Sequence, residues 1–324
     1  MNANILRLTA AFCMALGVAP VWAQTSYPNK PIRMIVAFPP GGGTDINARL
    51  IGASLQASLG QTVVIENRPG ANGLIGTAAL AKSPPDGYTL SMGAGGPLTI
   101  NHQVMKNVPY DPLKDLASVA TVSRHVLALV VHPSFPAHTV EELIAVTKPK
   151  PDGYSYASSA IASPHHLTME LFQSLTGTHM VHVPYKGSGD AIKDLVAGQV
   201  RVAFETVSVI LPHVNAGRLR VLAVTSKQRT SLAPDAPTMV EAGFPGFESF
   251  SWYGVVAPAG TPRPIINTLN AGINKALASA DVRAKLSQLG AEPLVGTPED
   301  MDAFMRAEIA KWGKVIRDVK ITLD

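Results

Sequence analysis

Cysteine is almost absent from this chain. The one cysteine among 324 residues is Cys13, which lies in an apolar run near the N-terminus. A lipoprotein needs small residues directly before its modified cysteine, and the bulky Phe12 makes this segment a poor match. If the segment is removed, we expect neither a disulfide nor a thiolate metal site in the mature chain. A chain of this length does not need disulfides to fold.

Runs of like charge are also absent. Charged residues make up 15% of the chain, the formal net charge is +4, and the basic residues are dispersed. This distribution disfavours nucleic-acid binding, which uses basic clusters. The hydrophobic content of 46% is typical of globular proteins and excludes extensive disorder. A mildly basic surface weakly favours anionic solutes.

The N-terminal 23 residues have the pattern of a signal peptide. Arg7 provides a positive charge, an apolar run extends from Leu8 to Val21, and small residues occupy the positions expected before a cleavage site. We therefore predict a signal peptide over residues 1–23, cleaved after Ala23, and a periplasmic mature protein. A permanent membrane anchor is the alternative, but the run is short for a spanning helix, which needs about 20 apolar residues.

The rest of the chain alternates between predicted strands and helices. Residues 32–38 form a strand-like run that is followed by a loop and an amphipathic helix over 44–59, and similar alternation resumes after Val119. This order predicts an α/β fold in which mostly parallel sheets are flanked by helices. The chain length suits two such units. Residues 262–319 are predicted to form a helical tail.

The first candidate site is a glycine-rich loop between a predicted strand and a predicted helix. It consists of Phe38, Pro39, Pro40, Gly41, Gly42, Gly43, Thr44 and Asp45. A helix start offers free N–H groups and a partial positive charge, so it can bind an anion without arginine. Thr44 could cap the helix or bond to a carboxylate.

Two alternatives apply to this loop. A nucleotide-binding P-loop requires Gly-Lys-Ser/Thr at the helix start, whereas this chain has Gly43, Thr44 and Asp45 there. Asp45 would also repel a phosphate. The second alternative, a tight turn before a capped helix, stays open.

The second candidate site is another loop between a strand and a helix. Its residues are Ser158, Ser159, Ala160, Ile161, Ala162 and Ser163, and Pro164 then begins the predicted helix. Small residues leave room for a ligand, and hydroxyls offer hydrogen bonds. Two helix N-termini that face one cleft would hold a carboxylate between them, although an ordinary loop is the alternative.

Three further residues could belong either to the core or to a site. Glu205 ends an apolar strand, where it either caps the next helix or faces the cleft. Trp252 and Tyr253 lie on another apolar strand and are predicted to be core residues, with a smaller chance of contacting a ligand.

Two patterns suggest other chemistry. His165 and His166 lie near His179 and His182, but adjacent histidines point to different faces of a helix, which disfavours a zinc site. Ser155 occupies the serine position of an imperfect nucleophile-elbow motif, but it lies within a predicted strand and not at a strand-to-helix turn. We expect no metal, no cofactor and no catalytic residue.

Several short motifs together resemble the Bug-type substrate-binding proteins of tripartite tricarboxylate transporters. The similarity runs from Tyr27 to the C-terminus, and its specificity comes from the order and spacing of the motifs. They are Tyr27-Pro28-Asn29-Lys30-Pro31-Ile32-Arg33, Phe38-Pro39-Pro40-Gly41-Gly42-Gly43-Thr44-Asp45, Glu66-Asn67-Arg68-Pro69-Gly70-Ala71-Asn72-Gly73, Pro85-Asp86-Gly87-Tyr88-Thr89-Leu90, His182-Val183-Pro184-Tyr185-Lys186-Gly187, Pro237-Thr238 with Glu241-Ala242-Gly243, and Ser251-Trp252-Tyr253-Gly254.

The resemblance implies a two-lobed periplasmic binding protein, or Venus flytrap, without catalytic activity. The first lobe would combine residues 24–125 with 246–324, and the second would be 126–245. The family holds the ligand carboxylate with backbone amides and hydroxyls of two loops. The ligand-binding residues implied here are Phe38, Pro40, Gly41, Gly42, Gly43, Thr44, Asp45, Gly95, Ser158, Ser159, Ala160, Ser163 and Glu205.

Two departures from the family pattern affect the expected ligand. The family often has aspartate where this chain has Glu205, and a glycine where this chain has Ala160, Ile161 and Ala162. The second loop is therefore bulkier and more apolar, which makes an aromatic acid an alternative to a dicarboxylate or tricarboxylate.

The resemblance implies a monomer that passes a small organic acid to membrane transporter subunits. An alternative is a co-sensor that presents its ligand to a periplasmic sensor kinase. A secreted hydrolase is the least favoured alternative.

Overall fold

The computed structural model describes residues 27–319. The predicted signal peptide, its cleavage site after Ala23 and Cys13 lie outside the described residues.

Within the described residues, strands and helices alternate as the sequence predicts. The strands are β1 (Ile32–Val36), β2 (Val63–Asn67), β3 (Thr89–Ala94), β4 (Leu116–Val131), β5 (Ser155–Ser158), β6 (Val181–Pro184), β7 (Val202–Thr206), β8 (Arg220–Val224), β9 (Phe250–Pro258) and β10 (Ala291–Pro293). The helices are α1 (Gly43–Leu59), α2 (Leu74–Ala81), α3 (Asn101–Val104), α4 (Val140–Thr147), α5 (Pro164–Thr176), α6 (Ser188–Val196), α7 (Val207–Asn215), α8 (Arg263–Ala278), α9 (Ala280–Gln288) and α10 (Pro298–Val319). A π-helical turn, Gly96–Ile100, precedes α3.

One long strand belongs to two sheets. The strand order is β2-β1-β3-β9-β4-β7-β5-β6, and both β8 and β10 also pair with β4. Strand β4 pairs with β9 from Leu116 to Val126 and with β7 from Leu127 onwards. We call the sheet of β1, β2, β3, β9 and β10 the first lobe and the sheet of β5, β6, β7 and β8 the second lobe. The two lobes share β4.

The sheets are mixed, which corrects the prediction of mostly parallel sheets. Strands β1, β2 and β3 are parallel, as are β5, β6 and β7, and these are the strand–loop–helix units read from the sequence. Strands β4 and β9 pair antiparallel with their neighbours and with each other. They differ because they connect one lobe to the other and do not return through a crossover helix within one sheet.

The predicted strand over residues 126–131 is the last third of β4. The earlier part was missed because Ser118, Thr121 and Ser123 interrupt the apolar pattern, although all three are buried. Strand β10, a three-residue strand, was also missed; it adds to the polar part of β4 at His125, Arg124 and Ser123. The buried hydroxyls of β4 form hydrogen bonds with neighbouring elements, and this allows a strand with polar residues to be buried.

The C-terminal helices pack on both lobes. Leu269 and Ile273 of α8 join the first-lobe core with Ile51 and Leu55 of α1. Helix α10 has apolar residues along one face, spaced by about one helical turn. Two of them, Met301 and Met305, pack with the first-lobe residues Ile35 and Trp252. Further along α10, Trp312 packs in one cluster with Ile100 after β3 and Leu167 on α5 of the second lobe.

The two places where the chain passes between lobes are hydrogen-bonded to each other through Thr225. Its hydroxyl accepts from the N–H of Leu127 on β4 at 3.1 Å and lies 2.6 Å from the carbonyl of Ser249, just before β9. Its own N–H donates to the Leu127 carbonyl at 2.9 Å. Thr225 and Ser249 have no exposed surface, so these groups have no access to water as a substitute partner.

Replacement of Thr225 by valine should therefore destabilise the protein. Thr225→Val keeps the shape but leaves the buried Leu127 N–H and Ser249 carbonyl without this partner, which should lower the free energy of unfolding by about 1–3 kcal/mol. Urea denaturation would measure the change. Thr268→Val, at an exposed position of α8, is the matched control and should change the value by less than about 0.5 kcal/mol. Equal stability of wild type and Thr225→Val would contradict the assigned role.

Candidate functional site

The glycine-rich loop places an uncapped helix N-terminus at the carboxyl end of β1. Helix α1 begins at Gly43, and its N-cap residue, Gly42, provides no side-chain hydrogen bond. The prediction that Thr44 caps the helix is wrong, because Thr44 is the second helical residue and is buried. The first-turn N–H groups have no carbonyl one turn earlier to bond to. Together with the helix dipole, they form a local positive end.

Asp45 holds this loop and does not act as a free charge. Its carboxylate accepts hydrogen bonds from the Gly41 N–H at 3.0 Å, from Arg49 Nε at 2.9 Å and from Asn67 Nδ2 at 2.9 Å. The Arg49 bond, with those from Gly41 and Asn67, lowers the pKa of Asp45 to about 2 despite its burial. Asp45 therefore remains ionised and fixes the loop from the inside.

Gly41 and Gly43 are required by geometry. Gly41 has a φ of 82°, a left-handed conformation that favours glycine. At Gly43, an added Cβ would overlap the hydroxyl of Tyr253 on β9. Tyr253 therefore packs directly against the start of α1.

Gly95 follows β3 and lies beside Trp252. An added Cβ at Gly95 would be 2.8 Å from Trp252 Nε1. This indole nitrogen is buried and has no hydrogen-bond partner among the described residues. Trp252 and Tyr253 are neighbours on β9 and point to opposite faces of the sheet. The tips of both side chains contact loops of the first lobe: Trp252 contacts the loop after β3, and Tyr253 contacts the loop after β1.

The second candidate loop uses two of its hydroxyls internally. Ser158 is fully buried, and its hydroxyl lies 3.0 Å from the Ala160 carbonyl and 2.7 Å from His182 Nε2. Ser163 is the N-cap of α5 and accepts from the N–H of His166 at 3.2 Å. These two side chains therefore shape the loop.

Ser159 starts a polar chain that leads to Glu205. The Ser159 hydroxyl lies 2.7 Å from His165 Nδ1, and His165 Nε2 lies 3.3 Å from the Thr206 hydroxyl and 3.5 Å from Glu205 Oε2. Glu205 Oε2 also accepts from the Ser188 hydroxyl at 3.0 Å and from the Thr206 N–H at 3.1 Å. The other carboxylate oxygen, Oε1, is buried and has no partner among the described residues.

Tyr253 lies against the first loop and is influenced by a charge of the second lobe. Burial raises the pKa of Tyr253 to about 12, and the nearby charge of Glu205 contributes to the increase. Tyr253 belongs to the first lobe and touches Gly43, whereas Glu205 ends β7 in the second lobe. Tyr253 therefore contacts the start of α1 and lies within electrostatic range of the Glu205 carboxylate.

A stack of aromatic side chains supports the second loop. The rings of His166 and His182 are 3.9 Å apart between centroids, and Tyr156 stacks on His182 at 4.9 Å. Burial, with a contribution from His182, lowers the pKa of His166 to about 3, and burial lowers the pKa of His182 to about 4. Both rings are therefore neutral at physiological pH.

The structure links Ser159 of the second predicted loop to Glu205 through His165, and Ser188 and Thr206 also bond to Glu205. Ser188 and Thr206 were not predicted, and His165 was considered only as part of a zinc site. The sequence did contain a signal for them: Ser188 begins α6, Thr206 directly precedes α7, and His165 lies in the first turn of α5. Residues that follow parallel strands meet at one edge of a sheet, where ligands bind.

Two of the alternatives raised by the sequence, a zinc site and a serine nucleophile, concern described residues, whereas the proposed membrane anchor lies outside them. In the described part of the chain, no three His, Cys, Asp or Glu side chains are grouped to hold a metal ion. Ser155 begins β5 and is not at a strand-to-helix turn. No helix within residues 27–319 is both long and apolar enough to cross a membrane.

A separate groove of about 820 Å³ lies elsewhere on the second lobe. It runs between α4, the end of α7 and β8, and it contains none of the predicted ligand-binding residues. We therefore assign the candidate site to the two loops and Glu205, whose Oε1 is buried without a partner among the described residues, and not to this groove.

Comparison with known proteins identifies the family. The family described as the tripartite tricarboxylate transporter family receptor matches residues 47–321. The chain belongs to this family. It is a family of solute-binding receptors and not of enzymes.

Individual relatives agree with this assignment. The chain is 42% identical over 319 residues to Protein BugT of Bordetella pertussis, which covers 97% of this chain and 98% of that protein. A solved structure of an R. palustris protein with adipate is 39% identical, with a TM-score of 0.84 over 91% of this chain and 99% of that one. MatC from Rhodopseudomonas palustris with bound malate is 32% identical, with a TM-score of 0.79 over 90% of this chain and 100% of that one. The predicted two-lobed α/β fold and the Bug-type resemblance are confirmed.

Replacement of Gly43 in the first loop by alanine should destabilise the folded protein. The added methyl group would overlap the Tyr253 hydroxyl, so the loop or β9 must shift, at a cost of about 1–3 kcal/mol in the free energy of unfolding. Gly42→Ala is the matched control, because its Cβ would meet only the Pro39 carbonyl oxygen at 3.7 Å, and it should cost less than about 1 kcal/mol. Denaturant unfolding compares the two, and a larger loss for Gly42→Ala would refute the described contact.

Stability should also fall in mild acid because of the buried histidines. The folded-state pKa of His166 is about 3, below its ordinary value of 6.5, so the unfolded chain binds more protons as the pH falls through 6.5. Stability is thus fully present above 6.5 and is lost progressively below it, by about 2 kcal/mol per such histidine between about pH 7 and pH 5. His166→Gln should reduce this pH slope, whereas His138→Gln, at an exposed position, should retain it. Unfolding measured across this pH range tests the expectation, and an unchanged slope in His166→Gln would disprove it.

Proposed function

We propose that this chain is a periplasmic solute-binding protein that captures a small organic carboxylate and delivers it to the membrane subunits of a tripartite tricarboxylate-type transporter. The observation that carries the proposal is the uncapped N-terminus of α1 at Gly42. Its unpaired first-turn N–H groups and dipole provide the positive site that a carboxylate needs.

Binding would take place between the lobes. In this proposal the first lobe is residues 24–125 with 246–324 and the second is 126–245, and the lobes move about the crossings at Val126–Leu127 and Ser249–Phe250. Closure about such crossings brings the two loops onto one ligand. The Thr225 hydrogen bonds would keep the two crossings moving together.

Each predicted ligand-binding residue except Glu205 then has a specific role. The N–H groups of Gly42, Gly43 and Thr44 would bind the carboxylate, and Asp45 would hold Gly41 in place from behind. Backbone at Gly95 and the hydroxyl of Ser159 would supply further contacts. The remaining predicted residues would form the walls of the site: Phe38, Pro40, Ala160, Ser158 and Ser163.

The relatives support a carboxylate but do not select one. Solved structures similar to this chain contain adipate in one case and malate in another. These ligands are aliphatic dicarboxylates of different length, and the bulkier Ala160–Ile161–Ala162 segment of this chain keeps an aromatic acid within the proposal. We further propose export with cleavage after Ala23, and action as a monomer.

A ligand screen would test the function. The mature protein, unfolded and refolded to remove any co-purified ligand, should show a saturable increase in melting temperature with at least one class of organic acid. At a hundredfold excess over the dissociation constant, a ligand stabilises the folded state by about 2.7 kcal/mol. Absence of any shift with dicarboxylates, tricarboxylates, aromatic acids and amino acids would refute carboxylate capture.

A substitution at the N-cap separates ligand binding from folding. Gly42→Asp places a carboxylate at a position where aspartate is a favourable N-cap and where an added side chain has space. We expect the variant to fold as well as the wild type but to bind the acid found in the screen at least about tenfold more weakly, because its own carboxylate competes for the N–H groups. Gly42→Asn is the neutral control and should lose less affinity in calorimetric titration. Undiminished affinity of Gly42→Asp would locate the carboxylate elsewhere.

A further inference from the structure

We propose that His166 is a positioning residue for ligand binding: its ring nitrogen Nδ1 accepts the N–H of Ala162 and so fixes the second loop, residues 158–163, in the shape that binds the ligand. The inference rests on the proposed function, in which this loop contacts the ligand through Ser159. It deepens that function by naming a residue that sets the ligand affinity through the loop and not by direct contact.

The second loop contains a turn that is unfavourable for its sequence. The N–H of Ser163 donates to the Ala160 carbonyl at 3.2 Å and closes a four-residue turn. Ala162 is the third residue of this turn and has a φ of 57°, a left-handed conformation that glycine adopts readily and alanine adopts at a cost. An alanine keeps such a conformation only where the surrounding contacts hold it.

His166 provides the contact that holds this turn. Its Nδ1 accepts a hydrogen bond from the Ala162 N–H at 3.0 Å. Ala162 has no exposed surface and packs in one apolar cluster with Leu167 and Trp312, so its N–H has no access to water as a substitute partner. Loss of the Nδ1 acceptor would leave a buried N–H unpaired, and the turn would have to change its shape to satisfy that group.

The surroundings of the His166 ring favour the tautomer that this bond needs. A ring nitrogen accepts only when it carries no proton, so the neutral ring must carry its proton on Nε2. Nε2 lies 3.8 Å from the Glu170 carboxyl group, an acceptor that also receives hydrogen bonds from the Tyr156 hydroxyl and from Gln173. The ring of His182 stacks on His166. Burial, with a contribution from His182, lowers the pKa of His166 to about 3, so the ring stays neutral near neutral pH.

Two other imidazole rings bond to the same loop, but only through side chains. Ser158 Oγ lies 2.7 Å from His182 Nε2, and Ser159 Oγ lies 2.7 Å from His165 Nδ1. The bond from His166 is to the backbone of the turn, so it fixes the path of the chain and not one hydroxyl. The position of the Ser159 hydroxyl therefore depends on this bond as well.

Two substitutions at His166 separate the acceptor from the ring. In His166→Asn the amide oxygen can lie close to the position of Nδ1 and accept the same N–H, whereas His166→Leu fills the space without an acceptor. Both variants lose the stack on His182, so denaturant unfolding should find similar losses of stability. Calorimetric titration with adipate, malate and any tighter-binding acid of the ligand screen should find affinities within about threefold of wild type for His166→Asn but at least about tenfold weaker for His166→Leu. Equal losses of affinity in the two variants, or none in His166→Leu, would overturn the inference.

Two further measurements need no ligand. Hydrogen exchange followed by NMR should find the Ala162 amide protected in wild type and in His166→Asn, and exchanging at least about tenfold faster in His166→Leu. Long-range proton–nitrogen correlation spectra of the wild-type protein should show His166 protonated at Nε2 and unprotonated at Nδ1. Equal exchange in all three proteins, or a proton on Nδ1, would also overturn the inference.

These measurements separate the inference from the proposed function. If no acid of any class binds the wild-type protein, carboxylate capture is overturned, whereas amide exchange and the tautomer still decide whether His166 fixes the loop. If acids bind but the two variants do not differ, carboxylate capture stands and the role of His166 is overturned. Because the tautomer is measured on the wild type, it decides the question even where a variant fails to fold.

Discussion

The hydrogen bonding of one strand into two sheets determines how the rest of this molecule is arranged. Strand β4 is almost entirely buried, and its pairing partner changes from β9 to β7 between Val126 and Leu127. The two lobes are therefore joined at a defined place along this strand. The hydroxyl of Thr225 bonds both to Leu127 at this junction and to Ser249, where the chain passes back to the first lobe. The two candidate loops follow β1 and β5, strands that belong to different lobes joined through this junction.

Within that site, the protein satisfies some polar groups and leaves others unpaired. Three polar side chains form hydrogen bonds within their own loops and so give these loops a defined shape: Asp45, Ser158 and Ser163. By contrast, the first turn of α1 has no side-chain cap, and both Trp252 Nε1 and Glu205 Oε1 are buried without partners among residues 27–319. Native proteins rarely leave buried polar atoms unpaired. These groups remain available to a bound ligand or to water.

Much of the fold followed from local pattern. The glycine that ends α1, the prolines and glycines between elements and the 3.6-residue periodicity of α8 and α10 are local signals, and the elements lie where these signals predict. Strand β4 was only partly predicted, because polar residues in a sequence usually indicate exposed positions, whereas the serines and threonine of this strand are buried. The sequence also left two roles open for Glu205. In the structure its Oε2 accepts a hydrogen bond from the Thr206 N–H at the start of α7, whereas its Oε1 has no partner in the described part of the chain.

The sequence by itself determined the family, the α/β class and the two loops, because strand–loop–helix units and glycine positions depend on neighbouring residues in the chain. Only the tertiary structure decided which atoms in those loops remain available. That Thr44 is not a cap, that Gly43 is required by Tyr253, and that Glu205 lies near a tyrosine of the other lobe all depend on contacts between residues far apart in sequence. Such contacts follow from the crossing of β4 and β9, and no local pattern encodes them.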